Sequence, residues 1–120
     1  MSESSRRVLI VCSDLFFLTQ LRSSAERVGA QVELELQGSQ ASQRAAAGRY
    51  NAVIVDLESP GLDLERLMTS LPENGRTQVI AFGPHVQEQR LSAARAAGCD
   101  VVVSRGQIAG QFSELLDMQE

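Results

Sequence analysis

The chain has 120 residues, a mass of 13.0 kDa and hydrophobic side chains at 43% of its positions, which suits one domain, 1–120, with its own core. Its net charge of -4 and pI ≈ 5.0 argue against a nucleic-acid partner. No apolar run approaches a membrane span of roughly 18 residues, and the polar start MSESSRR is unlike a signal peptide. We therefore expect a cytoplasmic protein that contacts neither nucleic acid nor membrane.

The N-terminal part of the chain predicts two β-strands and two helices. The apolar run VLIV at 8–11 is typical of a strand buried on both faces, whereas VELEL at 32–36 alternates and indicates a half-exposed edge strand. Between them a helix is predicted after the N-cap residue Asp14, with one apolar face formed by Leu18, Leu21, Ala25 and Val28. An alanine-rich helix is predicted at 40–47.

The remaining part continues the alternation. Three further buried strands are predicted at 52–55 (AVIV), 79–82 (VIAF) and 101–103 (VVV). A third helix follows the N-cap residue Asp63, and its apolar face consists of Leu64, Leu67, Met68 and Leu71. A fourth helix is predicted over 86–97, and the apolar positions of a fifth are Ile108, Phe112 and Leu115.

This (βα)₅ pattern predicts an α/β fold, because right-handed crossovers give a parallel sheet with helices on both faces. The flavodoxin-like strand order 2-1-3-4-5 fits best, since only VELEL and the last strand suit an edge. A crevice then opens at the carboxyl ends of strands 1 and 3, which carry Cys12, Ser13, Asp14 and Asp56. Cys12 and Cys99 would lie at opposite ends of the sheet, so we expect free thiols.

Three segments resemble the receiver domains of bacterial two-component response regulators. RRVLIVCSD is similar to the first strand of that family, YNAVIVDLESPGLD to its phosphoacceptor strand, and RAAGCDVVVSR to the lead into its fifth strand. The resemblance covers essentially the whole chain and implies a signalling domain rather than an enzyme. It also implies that Asp56 stands where the family takes a phosphoryl group from a histidine kinase.

The magnesium-binding part of the family's pocket is altered in this sequence. The resemblance assigns the family's acidic pair to Cys12 and Ser13, neither of which is a strong Mg²⁺ ligand. Glu58 corresponds to the position that lends its backbone carbonyl to the metal. Asp14 lies one residue beyond the pair, so a shift of the loop remains an alternative that would bring a carboxylate inward. We expect no resident cofactor unless that alternative holds.

The residues that respond to the phosphoryl group in the family are altered as well. The hydroxyl residue that ends strand four corresponds to Gly83, and the aromatic switch of strand five corresponds to Val102. The family's lysine corresponds to Arg105, in a chain whose eleven basic residues are all arginines. Because a guanidinium can bind a carboxylate with two parallel hydrogen bonds, we predict a standing ion pair between Arg105 and Asp56.

Three functional hypotheses remain open at this stage. The first is a pseudo-receiver that signals through protein contacts; it would bind a histidine kinase or an output domain, or form a homodimer through helix four, strand five and helix five. The second is a working receiver phosphorylated on Asp56 with Mg²⁺. The third is a flavodoxin-like enzyme or small-molecule binder, which no motif of the sequence supports. His85, the only histidine, lies in a loop near the same rim, where a single histidine is usually just solvated.

Overall fold

A computed structural model of the protein describes residues 6–72 and 77–117, and within them five strands alternate with five α-helices. The strands are β1 (Arg7–Val11), β2 (Gln31–Glu35), β3 (Ala52–Asp56), β4 (Gln78–Gly83) and β5 (Val101–Ser104). The helices are α1 (Leu15–Arg27), α2 (Ala41–Ala47), α3 (Leu64–Ser70), α4 (Glu88–Ala96) and α5 (Arg105–Asp117), and a 3₁₀ turn, Gly38–Gln40, precedes α2. Each predicted strand and helix is confirmed, with shifted boundaries.

The five strands form one parallel sheet of order β2-β1-β3-β4-β5, which confirms the predicted topology. In the register of this sheet Asp56, the last residue of β3, lies opposite Phe82 of β4. The carboxyl ends of β1, β3 and β4 therefore meet at one rim, and the side chain of Asp56 belongs to that rim.

Alternate residues of the strands divide the core between the two faces of the sheet. Ile10, Ile54 and Phe82 contribute to a cluster with the apolar sides of α1 and α5. Leu9, Val53 and Val79 contribute to a second cluster with α2, α3 and α4. This division follows from the period of two in a strand, and it explains why the three central strands contain continuous apolar runs.

Side chains at the helix starts fix where several helices begin. The carboxylates of Asp14 and Asp63 accept hydrogen bonds from the backbone N–H groups of Phe17 and Arg66, so both predicted N-caps are confirmed. Helix α5 starts directly after β5, three residues before the predicted apolar face. Helix α4 begins at Glu88, two residues later than predicted.

Two strands differ from the predicted burial. Strand β5 is half-buried along its whole length rather than buried on both faces, because it lies at the edge of the sheet. Strand β2 forms the other edge, as predicted, but the glutamates that alternate along it are not simply exposed. Arg44 of α2 forms ion pairs with both of them, at 3.4 Å to Glu33 and 2.9 Å to Glu35.

Glu33 is the centre of a polar network above β2. The Tyr50 hydroxyl donates to Glu33 Oε1 at 2.6 Å, and Arg7 Nη2 lies 2.6 Å from Oε2. Hydrogen bonds from Tyr50 and Arg7 lower the pKa of Glu33 below its ordinary value. The network thus joins β1 and β2 to α2 and to the segment before β3.

The two cysteines are free, as predicted: Cys12 follows β1, and Cys99 precedes β5. Burial raises the pKa of Cys99 to about 11. In the part of the chain that the structure describes, the helices are too short or too polar to cross a bilayer.

Candidate functional site

The carboxylate of Asp56 lies at the bottom of the crevice, and Asp56 is only 2% exposed. The backbone N–H of Glu58 donates to Asp56 Oδ1 at 2.9 Å. Asp56 Oδ2 accepts from the Cys12 thiol at 3.4 Å and from Arg105 Nη2 at 3.1 Å. The buried acid therefore has a donor on each oxygen, as an ionised carboxylate in the interior requires.

A reciprocal cap at the start of α5 directs Arg105 into this crevice. The Ser104 hydroxyl accepts from the backbone N–H of Gln107 at 3.1 Å, and the Gln107 side chain accepts from the backbone N–H of Ser104 at 2.8 Å. Helix α5 therefore begins immediately after β5, with Arg105 at its first position. Arg105, which corresponds to the family's lysine, therefore has its backbone fixed in the first turn of a helix.

Two aromatic rings support the guanidinium of Arg105. Its central carbon lies 4.5 Å from the centroid of the Phe17 ring and 5.6 Å from that of Phe82. The two rings are 5.3 Å apart and tilted against each other. Planar guanidinium stacks on aromatic faces, whereas an ammonium group is a compact point charge, so this support is suited to arginine.

The predicted ion pair between Arg105 and Asp56 is present, but its geometry differs from the prediction. Nη2 alone reaches Asp56, and the same nitrogen lies 3.5 Å from Glu58 Oε1, while Nη1 lies 3.4 Å from Asp14 Oδ2. One guanidinium is thus shared among three carboxylates instead of binding one of them with two parallel bonds. The charge of Arg105 is thus divided among three acids.

Asp14 and Glu58 both contact Arg105 with their side chains. Asp14 caps α1 with Oδ1, as predicted, while its Oδ2 lies 3.4 Å from Arg105 Nη1 and its side chain is 48% exposed. Glu58 contacts Arg105 with its side chain as well as Asp56 with its backbone, although the resemblance indicated only a backbone role.

Cys12 is completely buried beside Asp56. Burial is the main cause that raises the pKa of its thiol to about 12, and the nearby carboxylate of Asp56 acts in the same direction. The thiol is therefore protonated at neutral pH and serves as a hydrogen-bond donor. A nucleophilic cysteine needs the opposite environment, one that favours the thiolate.

The side chains around Asp56 do not provide a good set of ligands for a magnesium ion. Mg²⁺ takes hard oxygen ligands in a near-octahedral arrangement, yet Cys12 offers a protonated sulfur and the side chain of Ser13 is exposed. The carboxylates of Asp14 and Glu58 face the guanidinium of Arg105. Within residues 6–72 and 77–117 there is no group of three or more acidic, histidine or cysteine side chains arranged to hold a metal.

Gly83 and Val102 are at the positions predicted from the strands. Gly83 is buried at the end of β4, and a Cβ added there would lie 3.6 Å from Leu91 and 3.7 Å from Leu57, which are ordinary contacts. Val102 is half-buried and packs against the core cluster on the α4 face. His85 is exposed in the turn after β4.

A hydrogen bond that the sequence did not indicate connects the crevice to α4. Arg90 Nη1 donates to the backbone carbonyl of Leu57 at 2.9 Å, next to Asp56. The caps of α5 and the stacking of Phe17 were also missed. The pattern Ser104-x-x-Gln107 could have revealed the cap of α5. The Arg90 hydrogen bond and the stacking of Phe17 depend on side-chain directions that residue spacing does not give.

No model of a protein family matches the chain. The curated transcriptional regulatory protein QseB of Escherichia coli O157:H7 is 25% identical over 96 residues, which is 78% of this chain and 44% of QseB. The chain thus spans less than half the length of that relative.

Solved structures resemble the whole chain. The receiver domain of sensor histidine kinase PA1611 from Pseudomonas aeruginosa has a TM-score of 0.81 and 22% identity, covering 97% of this chain and 98% of that domain. The chemotaxis response regulator CheY4 of Vibrio cholerae has a TM-score of 0.81 and 14% identity, covering 98% and 100%. The chain has the response regulator receiver fold.

One of these similar structures contains a metal ion. The PA1611 receiver domain was solved with a magnesium ion coordinated in its active site cleft. In the present chain a guanidinium occupies the space next to the carboxyl end of β3, where it contacts Asp56.

Proposed function

We propose that this chain is a receiver-like signalling domain that acts through protein contacts, with Asp56 held unphosphorylated by Arg105. One observation carries the proposal: the carboxylate of Asp56 is buried, and its oxygens bind the Arg105 guanidinium, the Cys12 thiol and the Glu58 backbone N–H. Phosphoryl transfer would require an oxygen of Asp56 to leave these donors and reach an incoming phosphorus atom.

Charge at the crevice supports the same proposal. A phosphoryl donor and Asp56 are both anionic, so transfer between them depends on a cation that neutralises both partners. Arg105 is the cation at this site, but its charge is already shared among Asp14, Asp56 and Glu58. The guanidinium in contact with Asp56 is therefore already engaged by three carboxylates.

The proposal is tested by adding beryllofluoride, a phosphoryl analogue, with millimolar Mg²⁺ and recording the amide NMR spectrum. We expect the amides near Asp56 and Gly83 to remain unchanged, and mass spectrometry after incubation with acetyl phosphate to show the unmodified mass. Large shifts at these amides, or an added phosphoryl mass that Asp56→Asn removes, would contradict it.

A working receiver that a histidine kinase phosphorylates on Asp56 is the second candidate. The observation in its favour is that the oxygens of Asp14 and Glu58 are within 3.5 Å of Arg105, close to the rim above Asp56. If Arg105 moved out, three carboxylates would be available to a cation. The beryllofluoride experiment separates this candidate from the first, because a working receiver must bind Mg²⁺ and would show amide shifts near Asp56.

An enzyme or small-molecule binder is the third candidate, and the structure favours it least. The N-cap residue Asp14 and the first residues of α1, Leu15-Phe16-Phe17, offer neither the glycines nor the positive charge of a phosphate-binding loop. Native mass spectrometry of the purified chain addresses this candidate, since a retained ligand would add mass to the protein.

The partner class that this proposal implies is another protein, with a histidine kinase or an output domain as the candidates. A homodimer through α4, β5 and α5 remains a prediction for this chain. Sedimentation equilibrium tests it: a dimer that weakens when a charge is introduced at an exposed position of α5, for example by Ala109→Glu, would support that face.

A further inference from the structure

The peptide unit that joins Leu57 to Glu58 is held by a side chain at each of its two polar groups. Its N–H donates to Asp56 Oδ1 at 2.9 Å, and its C=O accepts from Arg90 Nη1 at 2.9 Å. The N–H and C=O of a trans peptide point in opposite directions within one rigid plane, so both hydrogen bonds depend on a single orientation of this unit. Asp56 of β3 and Arg90 of α4 are thus linked through one peptide unit.

The backbone groups next to this unit are held in a different way. The C=O of Asp56 accepts from the N–H of Ser59 at 2.9 Å, which closes a turn, and the N–H of Leu57 donates to the carbonyl of Phe82 in β4 at 2.9 Å. These bonds join backbone to backbone and form with the fold itself. The unit between Leu57 and Glu58 instead relies on two side chains, so its orientation responds to the charge of Asp56.

Helix α4 presents Arg90 to this peptide unit from a fixed position. Arg90 lies in the first turn of α4, where its backbone N–H donates to the carbonyl of Gln87 at 3.0 Å. The next residue, Leu91, belongs to the same buried cluster as Leu57. Both leucines adjoin Gly83, since a Cβ added there would lie 3.6 Å from Leu91 and 3.7 Å from Leu57. The start of α4 is therefore held near Leu57 by packing and by the hydrogen bond from Arg90.

The two hydrogen bonds of the peptide unit strengthen each other. A guanidinium that donates to the C=O draws electron density from the unit and makes its N–H a better donor. A carboxylate that accepts from the N–H makes the C=O a better acceptor in the same way. Both bonds are assisted by charge, at Arg90 and at Asp56, so removing either charge weakens the bond on the other side.

We propose that Arg90 is a positioning residue that couples Asp56 to helix α4 through the peptide unit between Leu57 and Glu58. Arg90 holds the N–H of Glu58 on Asp56, and in return the charge of Asp56 sets how firmly Arg90 ties α4 to the crevice. By linkage, a protein that displaces Arg90 when it binds α4 has an affinity that depends on the state of Asp56. This inference goes beyond the proposed function, which concerns the hold of Arg105 on Asp56.

Hydrogen exchange at the Glu58 amide, measured by NMR on the ¹⁵N-labelled chain, tests the positioning role. Arg90→Ala should speed this exchange about fivefold, which corresponds to the net contribution of an ordinary hydrogen bond. Arg90→Lys keeps a donor and a positive charge and should recover most of the protection. The matched control is Arg95→Ala, which removes an exposed arginine from the same helix and should change the exchange rate less than about twofold.

A double-mutant cycle with Asp56→Asn tests the coupling itself, because this substitution removes the charge and keeps the shape and an acceptor oxygen. In the Asp56→Asn background Arg90→Ala should speed exchange at the Glu58 amide less than about twofold. In the opposite direction, Asp56→Asn alone should shift the amide signals of residues 88–91. Those shifts should fall by at least about half in the Arg90→Ala background.

Four results would each overturn the inference. They are unchanged Glu58 exchange in Arg90→Ala, an equal effect of Arg95→Ala, the same fold-change from Arg90→Ala in both backgrounds, and α4 shifts that keep their full size without Arg90. No recovery with Arg90→Lys would mean that the charge and donor are not what matters, which also contradicts it. The samples contain neither magnesium nor a phosphoryl analogue and all retain Arg105, so this experiment and the beryllofluoride experiment can fail separately.

Discussion

Replacing Arg105 by alanine should destabilise the fold by about 2–4 kcal/mol. The variant leaves the buried Asp56 carboxylate without its charged donor, and losing a hydrogen bond to a charged group costs about 1.5–3 kcal/mol. The guanidinium also contacts the rings of Phe17 and Phe82, which adds about 0.5–1 kcal/mol. The other two carboxylates, Asp14 and Glu58, are 48% and 38% exposed, so solvent screens their contribution.

Urea unfolding followed by circular dichroism measures this loss. The matched control is Arg22→Ala: Arg22 pairs with Glu26 one helical turn away, and both side chains are about half exposed, so it should lose no more than about 0.5 kcal/mol. A double-mutant cycle then isolates the pair, since Asp56→Ala with Arg105→Ala should be less destabilising than the two single losses summed, by at least about 1 kcal/mol.

Additive losses, within about 0.5 kcal/mol, would refute the reasoning, because they would mean that the contact between Arg105 and Asp56 carries no energy of its own. A loss for Arg105→Ala as small as that of Arg22→Ala would refute it as well. In either case the guanidinium would be a surface charge that happens to lie near the crevice, and the proposed function would lose its physical basis.

Three further predictions follow from the crevice and its surroundings. The fourfold variant Cys12→Asp, Ser13→Asp, Gly83→Ser, Arg105→Lys restores the family's residue types at the crevice and should gain Mg²⁺-dependent beryllofluoride binding, seen as new amide shifts. The structure can accept it, because a side chain at Gly83 meets only ordinary contacts. The control is the chain with Gly83→Ser and Arg105→Lys alone, which should not respond. Because the pKa of Glu33 is lowered on folding, its contribution to stability is present above its ordinary pKa of 4.5 and is lost as the pH falls through the folded value. Urea midpoints of the wild type and Glu33→Gln should therefore converge in acid; the difference near pH 6 should not exceed about 1 kcal/mol because the side chain is 41% exposed, and a pH-independent difference would contradict the assignment. Burial raises the pKa of Cys12 to about 12 and that of Cys99 to about 11. The folded protein should therefore react slowly with a thiol-specific disulfide reagent at pH 8, whereas both thiols should react rapidly in denaturant. Fast reaction of Cys12 in the native state would contradict its buried position.

The fold could be predicted because its elements have strong and simple periods. Continuous apolar runs in the central strands and the 3, 4, 3 spacing of the first helix each allow one reading, and right-handed crossovers then restrict the topology. The contact between Arg105 and Asp56 was predicted from the resemblance to receiver domains, which assigns Arg105 to the family's lysine and Asp56 to its phosphoacceptor position.

The finer geometry of the site could not be read from residue spacing. The sharing of Arg105 among three carboxylates depends on the rotamer of a long side chain and on the cap formed by Ser104 and Gln107. The hydrogen bond from Cys12 to Asp56 was missed because a cysteine after an apolar strand is usually a packing residue. Likewise, the exposure of Phe16 depends on where α1 begins, and the sequence leaves such boundaries uncertain by several residues.

The network centred on Glu33 has a consequence for the behaviour of this protein at high concentration. Strand β2 is at an open edge of the sheet, where unpaired backbone groups invite a strand from another molecule. Glu33 and Glu35 stand on that strand and are held by Arg7 and Arg44. An incoming strand would have to desolvate this charged ladder, so the network should protect the chain from edge-to-edge aggregation.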